Sequence, residues 1–209
     1  MLPPLYPIVD VDLCRARQLD PLVLLAAFLD GGATFIQLRD KDPSSAARLA
    51  LADAAVALAR QAGARLIVND RPDIARMAAA DGVHVGQEDL PVDDVRRIVG
   101  ADAIVGLSTH DAAQIDLAAG SSADYIAVGP IYGTVTKDTG YAARGLDLVR
   151  QASAHGKPVV AIGGITLERA PEVIAAGASS VAVISDLLTG GDSAARVRAF
   201  LDRLSERRV

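Results

Sequence analysis

The phrase Gln37-Leu38-Arg39-Asp40-Lys41 carries the densest chemistry in the chain. Gln37 and Arg39 share the parity of a strand, so both can point to one face, with Lys41 following at its rim. An amide and a guanidinium turned inward need dedicated partners, because burying them without any is costly. Read blandly, the same residues are a surface turn with solvated charges, the usual fate of Lys and Arg. Two acids, in Asn69-Asp70-Arg71 and Gly86-Gln87-Glu88-Asp89, follow the next two apolar runs. They could share one hard cation, since Mg²⁺ takes one or two carboxylates and fills its octahedron with water and phosphate oxygens. An aspartate capping the following helix is the plain alternative for Asp70 alone. A second acid, close to a Gln-x-Arg-x-Lys, favours the metal.

Later phrases offer neutral and backbone donors. Gly106-Leu107-Ser108-Thr109-His110 supplies a hydroxyl that can bond a ligand and an imidazole that can do so or begin a helix. No evident base and acid complete a hydrolytic triad with Ser108, so a nucleophile is not expected there. His84, inside Val83-His84-Val85, reads as a satisfied structural residue, and His155 as a solvated one near a helix end. In Thr134-Val135-Thr136-Lys137 two hydroxyls alternate ahead of a cation, within the longest strand-to-helix loop. Lys41 and Lys137 are two of only three lysines, the third being Lys157. Gly163-Gly164, and Ser185 after Val183-Ile184, fall where backbone N–H groups could approach an anion.

These phrases need elements to hold them. Eight short runs rich in Val and Ile read as strands: Leu5–Asp10, Thr34–Arg39, Arg65–Asn69, Gly82–Val85, Ala103–Leu107, Asp124–Gly129, Pro158–Ile162 and Ser179–Ile184. Helical periods lie between and after them, near 20–31, 44–62, 71–80, 91–99, 111–119, 145–155, 167–176 and 193–206. Asp20-Pro21, Asp42-Pro43-Ser44 and Thr109-His110-Asp111 look like helix starts, and Gly31-Gly32, Gly63 and Gly177 like helix stops. Eight such units predict an α/β fold, a single (β/α)8 TIM barrel spanning 1–209 as one catalytic domain. An open doubly wound sheet would show glycines after its first strand, and Ile8-Val9-Asp10 is followed by none. In a barrel the polar phrases all fall at strand C-terminal ends, where chemistry is expected.

Composition narrows the partners. A chain of 209 residues, 51% hydrophobic and 22% charged, can bury a core. Its net charge of −5 argues against nucleic acid, which selects basic surfaces. Aromatic residues at 3% with no Trp give little for base stacking. The single cysteine, Cys14, excludes an internal disulfide and fits a reducing cytoplasm, the expected location. No secretory leader and no apolar stretch of about 18–20 residues is read, so no membrane partner is expected. A homo-oligomer stays open.

Taken together the phrases resemble the thiamine-phosphate synthase family, also called thiamine-phosphate pyrophosphorylase. The resemblance runs through Gln37–Lys41, Asn69–Arg71, Asp81–Asp89, Gly106–His110, Thr134–Lys137, Ile162–Ile165 and Val183–Ser185, nearly the whole chain. It implies a transferase that joins a hydroxymethylpyrimidine pyrophosphate to a thiazole phosphate, giving thiamine phosphate and pyrophosphate. By resemblance Gln37, Arg39, Lys41, Asn69, Ser108 and Lys137 bind the pyrimidine pyrophosphate, with Arg39, Lys41, Ser108 and Lys137 catalytic. Asp70 and Asp89 hold the Mg²⁺ cofactor, and Thr134, Thr136, Gly164, Ile184 and Ser185 bind the thiazole phosphate. Gly133 stands where the family often has proline, segment 138–144 is less typical, and Pro7 interrupts the first strand's start. Two rival readings are a related thiazole tautomerase, with a histidine such as His110 as its acid and base, and a non-catalytic barrel that binds a phosphorylated ligand.

Overall fold

Side-chain oxygens start several of the helices. Asp10 accepts from Leu13 N, Asp20 from Leu22 and Val23 N, Ser44 from Ala47 N, and Asp111 from Gln114 N. Each replaces a bond that the first helical turn cannot make for itself. At the other end, Gly177 stops a helix at φ +111°, and a side chain there would meet Ser153 Oγ at 2.5 Å.

The computed structural model describes residues 2–42, 44–133 and 142–205. Its strands are β1 (Leu5–Asp10), β2 (Phe35–Arg39), β3 (Arg65–Asn69), β4 (Gly82–Val85), β5 (Ile104–Thr109), β6 (Tyr125–Val128), β7 (Val159–Ile162) and β8 (Ser180–Val183). They pair in parallel in sequence order, and β8 returns to β1 to close the barrel. The helices are α1 (Val11–Ala16), α2 (Pro21–Asp30), α3 (Ser45–Gln61), α4 (Pro72–Met77), α5 (Val92–Val99), α6 (Ala112–Gly120), α7 (Gly145–Ser153), α8 (Ala170–Ala175) and α9 (Ser193–Ser205). No helix among the described residues is long and apolar enough to cross a membrane.

The (β/α)8 barrel expected from the pattern is therefore the fold. Two elements were not foreseen. Helix α1 follows β1 without a loop, and a 3-10 turn over Ser185–Leu188 follows β8. Strand β5 runs two residues past the expected Leu107, because Ser108 and Thr109 pair with Ala127 and Val128. Pro7 does not break β1, which continues from Leu5 to Asp10 and is buried throughout.

Register decides which side chains meet at the axis. The pairs Ile8↔Gln37, Gln37↔Ile67, Ile67↔Gly82, Gly82↔Ile104 and Gly106↔Tyr125 keep one parity facing inward around the barrel. Tyr6, Ile8, Phe35, Ile67, Tyr125, Ala127, Val160 and Ala182 fill the interior, apart from the larger apolar layer between sheet and helices. The rings of Tyr6, Phe35 and Tyr125 pack edge to face or tilted, with centroids 4.6 to 6.3 Å apart. Room for Tyr125 comes from Gly106 on the adjacent strand, where a Cβ would lie 2.1 Å from Tyr125 Cζ. The same inward parity continues upward through Asp10, Arg39, Asn69 and Ser108 to the C-terminal rim.

Candidate active site

The two inward-facing polar residues of β2 have the partners that burial demands. Gln37 is 3% exposed and donates from Nε2 to Tyr6 OH at 3.0 Å. Arg39 donates from Nη1 to Asp10 Oδ2 at 2.7 Å, while its buried Nε has no partner among the described residues. An orphaned guanidinium N–H at the top of a barrel is a donor waiting for an acceptor. Lys41, beyond the strand, forms an ion pair with Asp70.

Asp70 follows β3 at φ +61°, a left-handed conformation that aspartate tolerates better than most residues. Its backbone N–H donates to His84 O at 2.7 Å, which fixes the turn against β4. Asp89 comes from further along than expected. It sits four residues past the end of β4 and turns back, its Oδ2 accepting from Gly86 N at 2.7 Å. The two carboxyls lie close enough for each to shift the titration of the other. Burial raises Asp89, the Gly86 N–H opposes that, and the neighbouring Asp70 charge adds to the rise, so its carboxyl stands above the ordinary range. Burial also acts to raise Asp70, but the Lys41 ammonium beside it, with smaller contributions from Asp89 and His84, outweighs that, and Asp70 lies below its ordinary value. Among the described residues no three or more His, Cys, Asp or Glu side chains gather as a metal centre. Two adjacent carboxylates still suit a Mg²⁺ ion that takes its remaining oxygens from water and phosphate.

A cavity of about 640 Å³ opens on the other side of the rim. Of the expected residues it brings together Ser108, Gly164, Ile184 and Ser185. Gly164 takes φ +63°, and a Cβ there would lie 2.6 Å from Gly133 O, so only glycine fits the lining. Gln37, Arg39, Lys41, Asn69, Asp70 and Asp89 stand outside this cavity. Thr134, Thr136 and Lys137 lie outside the described residues.

The cavity also holds residues that sequence reasoning missed. Leu13 and Arg17 reach it from helix α1 and the residue after it. Arg169 lines it, donating from Nη1 to Gly164 O at 2.9 Å and lying 4.5 Å over the Tyr132 ring. His110, which the sequence does offer as a donor to a ligand, donates from Nδ1 to Gly129 O at 2.7 Å and takes a place in the wall.

Ser108 completes no hydrolytic triad among the described residues, but it has a partner that the sequence hides. The sequence shows no base for it, yet His84 Nε2 lies 2.8 Å from its Oγ. His84 and Ser108 are inward residues of adjacent strands, a pairing that only the β4–β5 register reveals. Behind the imidazole stands the Tyr125 hydroxyl, 3.0 Å from Nδ1, where a hydrolytic triad would have a carboxylate. His84 is thus satisfied at both nitrogens, as expected of it. His155 is exposed and within 3.2 Å of Asp116.

Residues 5–187 match the protein family described as thiamine monophosphate synthase. The chain belongs to that family. A thiamine-phosphate synthase of Roseiflexus castenholzii is 45% identical over 203 residues, covering 97% of this chain and 88% of that protein. One from Thermosynechococcus vestitus is 45% identical over 186 residues, 88% of this chain but 53% of that longer protein. The solved thiamine phosphate pyrophosphorylase of Pyrococcus furiosus superposes with a TM-score of 0.87 at 30% identity, covering 97% of this chain and 96% of that one. Membership makes this family barrel a transferase of thiamine biosynthesis, with thiamine-phosphate synthase activity.

Proposed function

We propose that the site joins a hydroxymethylpyrimidine diphosphate to a thiazole phosphate, with the diphosphate leaving from the pyrimidine methylene before the thiazole nitrogen bonds to it. The observation that carries this reading is the buried Nε of Arg39, without a partner among the described residues, on the strand that leads to the Lys41–Asp70 ion pair and Asp89. Together they form a half-site suited to a highly charged anion. The separate cavity, with Gly164, Ile184 and Ser185 in its wall, suits the phosphate of the second substrate. Ser108 lines that cavity and is hydrogen-bonded to His84, whose carbonyl accepts from Asp70 N–H, which links the two halves.

The reaction needs little from the protein beyond charge and position. An electron-rich aminopyrimidine stabilises the cation left when diphosphate departs, and the thiazole nitrogen is already a nucleophile. Arg39 and Lys41 would take up the charge that grows on the leaving group, with Lys137 joining them. Gln37 and Asn69 would hold the pyrimidine ring, inward on adjacent strands. Thr134 and Thr136 would bind the thiazole phosphate beside Gly164, Ile184 and Ser185. Asp70 and Asp89 would hold Mg²⁺, which when bound neutralises charge on the diphosphate. No protein nucleophile is required, which leaves the His84–Ser108 pair free for another role. The test is formation of thiamine phosphate from both substrates with Mg²⁺; a protein that binds either substrate without turnover would refute the reading.

A further inference from the structure

Five side chains from five strands form one hydrogen-bonded line across the barrel interior. Gln37 Nε2 is 3.0 Å from Tyr6 OH, and Tyr6 OH is 3.0 Å from Tyr125 OH. Tyr125 OH is 3.0 Å from His84 Nδ1, and His84 Nε2 is 2.8 Å from Ser108 Oγ. Only the ends of the line belong to residues read as touching substrate. Its middle is sealed: Tyr6 and Tyr125 are at most 1% exposed and His84 is 7% exposed. Phenylalanine would fill the same volume as either tyrosine, as Phe35 does beside them. Polar groups placed so deep must be fully satisfied, and a satisfied line has a direction.

That direction follows from counting hydrogens. An amide nitrogen only donates, so Tyr6 oxygen accepts from Gln37, and the buried Tyr6 hydrogen must go to Tyr125. Tyr125 then donates its own hydrogen to Nδ1 of His84. The imidazole is left with its proton on Nε2, which donates to Ser108 Oγ. Ser108 accepts from inside, so its own hydrogen is directed outward into the site. Turning the Gln37 amide by half a turn would reverse every bond. His84 would then carry its proton on Nδ1, and Ser108 would donate inward and offer the site only lone pairs. Burial raises the hydroxyls of both tyrosines above the ordinary phenol range, so neither tyrosine brings a charge to the line.

We propose that Gln37, Tyr6, Tyr125 and His84 form a positioning relay in which the Gln37 amide sets the direction and the Ser108 hydroxyl delivers it as a donor to the departing diphosphate. The inference rests on the proposed reading that Gln37 and Ser108 face the pyrimidine diphosphate. With one Nε2 hydrogen committed to Tyr6, the acceptor that the amide offers a ligand is Oε1. An amino group on the pyrimidine is the natural partner for that oxygen, and it holds the amide in the orientation that makes Ser108 a donor. One end of the line thus recognises the ring while the other acts on the leaving group. Tyr6, Tyr125 and His84 are positioning residues, since none of them is read as touching substrate.

The chain has three histidines, so the ring nitrogens can be followed by NMR in protein labelled with ¹⁵N-histidine, His84→Asn identifying the signal that matters. The relay predicts a neutral His84 protonated at Nε2, both alone and with the pyrimidine diphosphate added. Protonation at Nδ1, or at both nitrogens, would overturn it. Tyr125→Phe keeps the ring and its packing but cuts the line. It should lower kcat about tenfold or more, with KM for the pyrimidine diphosphate changed by less than about threefold, and should weaken the Nε2 preference of His84. Unchanged kcat and tautomer in that variant would also overturn the relay. The wild-type NMR result does not depend on turnover, so failure of the relay and failure of the coupling reading give different outcomes.

Discussion

Arg39 donates from Nη1 to Asp10 Oδ2 at 2.7 Å, onto a carboxylate whose other oxygen accepts Leu13 N–H at 3.0 Å and starts helix α1. One aspartate therefore aims the guanidinium and caps the next helix. Asp10→Asn separates these duties. Asparagine caps about as well as aspartate, so the melting temperature should move little. An amide N–H or a neutral oxygen cannot hold the guanidinium as the carboxylate does. We expect kcat/KM to fall at least about tenfold, roughly 1.4 kcal/mol of transition-state stabilisation. Steady-state kinetics beside a thermal melt checks it. A large loss of stability with unchanged kinetics would show that Asp10 only caps.

Gly164→Ala should act on one substrate. The added Cβ would sit 2.6 Å from Gly133 O and 2.8 Å from Tyr132 Cβ, at a φ of +63° that alanine resists. The cavity wall must shift there, while the Arg39 and Lys41 side is not touched. KM for the thiazole phosphate should rise at least about tenfold, with KM for the pyrimidine diphosphate nearly unchanged. Equal rises in both would mean that the glycine serves the whole barrel.

The opposite end of the barrel should behave differently. Arg96 donates to the carbonyls of Ala101, Ala103 and Ser122 and pairs with Asp124, binding the loops that enter β5 and β6. Charged hydrogen bonds of this kind are worth about 1.5–3 kcal/mol. At about 2–4 °C per kcal/mol for a chain of this size, Arg96→Ala should melt several degrees lower. Its kcat/KM should stay within about twofold, since the N-terminal face of such a barrel serves stability and the chemistry sits at the other end. Melting curves and kinetics on the same preparation decide.

Much of this could be read in the sequence. The strands β1, β3 and β4 have the expected bounds because apolar runs stop there at Asp10, Asn69 and Val85. The parity of Gln37 and Arg39 alone put both side chains inward, and the register agrees. Helix α1 was not legible, since Val11–Ala16 is too short to show a period and begins where the strand ends. With it went Leu13 and Arg17, which reach the cavity from that helix and the residue after it. The partner of Ser108 was hidden for another reason. His84 lies 24 positions earlier and meets it only once two strands are in register, and Tyr125 stands 41 positions beyond His84. Local pattern reads the face that a residue takes; long-range register decides what it meets there.

Cys14 gives a check that owes nothing to catalysis. It is fully buried, and burial, reinforced by Asp10 and Asp20, raises its thiol from 9.0 to about 11. A folded thiol that holds its proton longer than the unfolded one costs stability as pH rises from about 9 towards 11, where only the unfolded chain has ionised. Denaturation midpoints should fall across that window in the wild type and fall less in Cys14→Ala. At pH 8 a thiol reagent should modify the native protein far more slowly than the unfolded chain. Equal rates would contradict the burial.

The central claim is that the Arg39–Asp89 side of the rim carries the departure of diphosphate from the pyrimidine. The most direct measurement is a two-substrate assay followed by ³¹P NMR, with Mg²⁺, on the wild type, Arg39→Ala and Asp89→Ala. The account predicts thiamine phosphate and pyrophosphate in equal amounts from the wild type. It predicts kcat/KM at least about a hundredfold lower in each variant, with circular dichroism unchanged. No product from the wild type with Mg²⁺ or Mn²⁺, or undiminished rates in both variants, would contradict it.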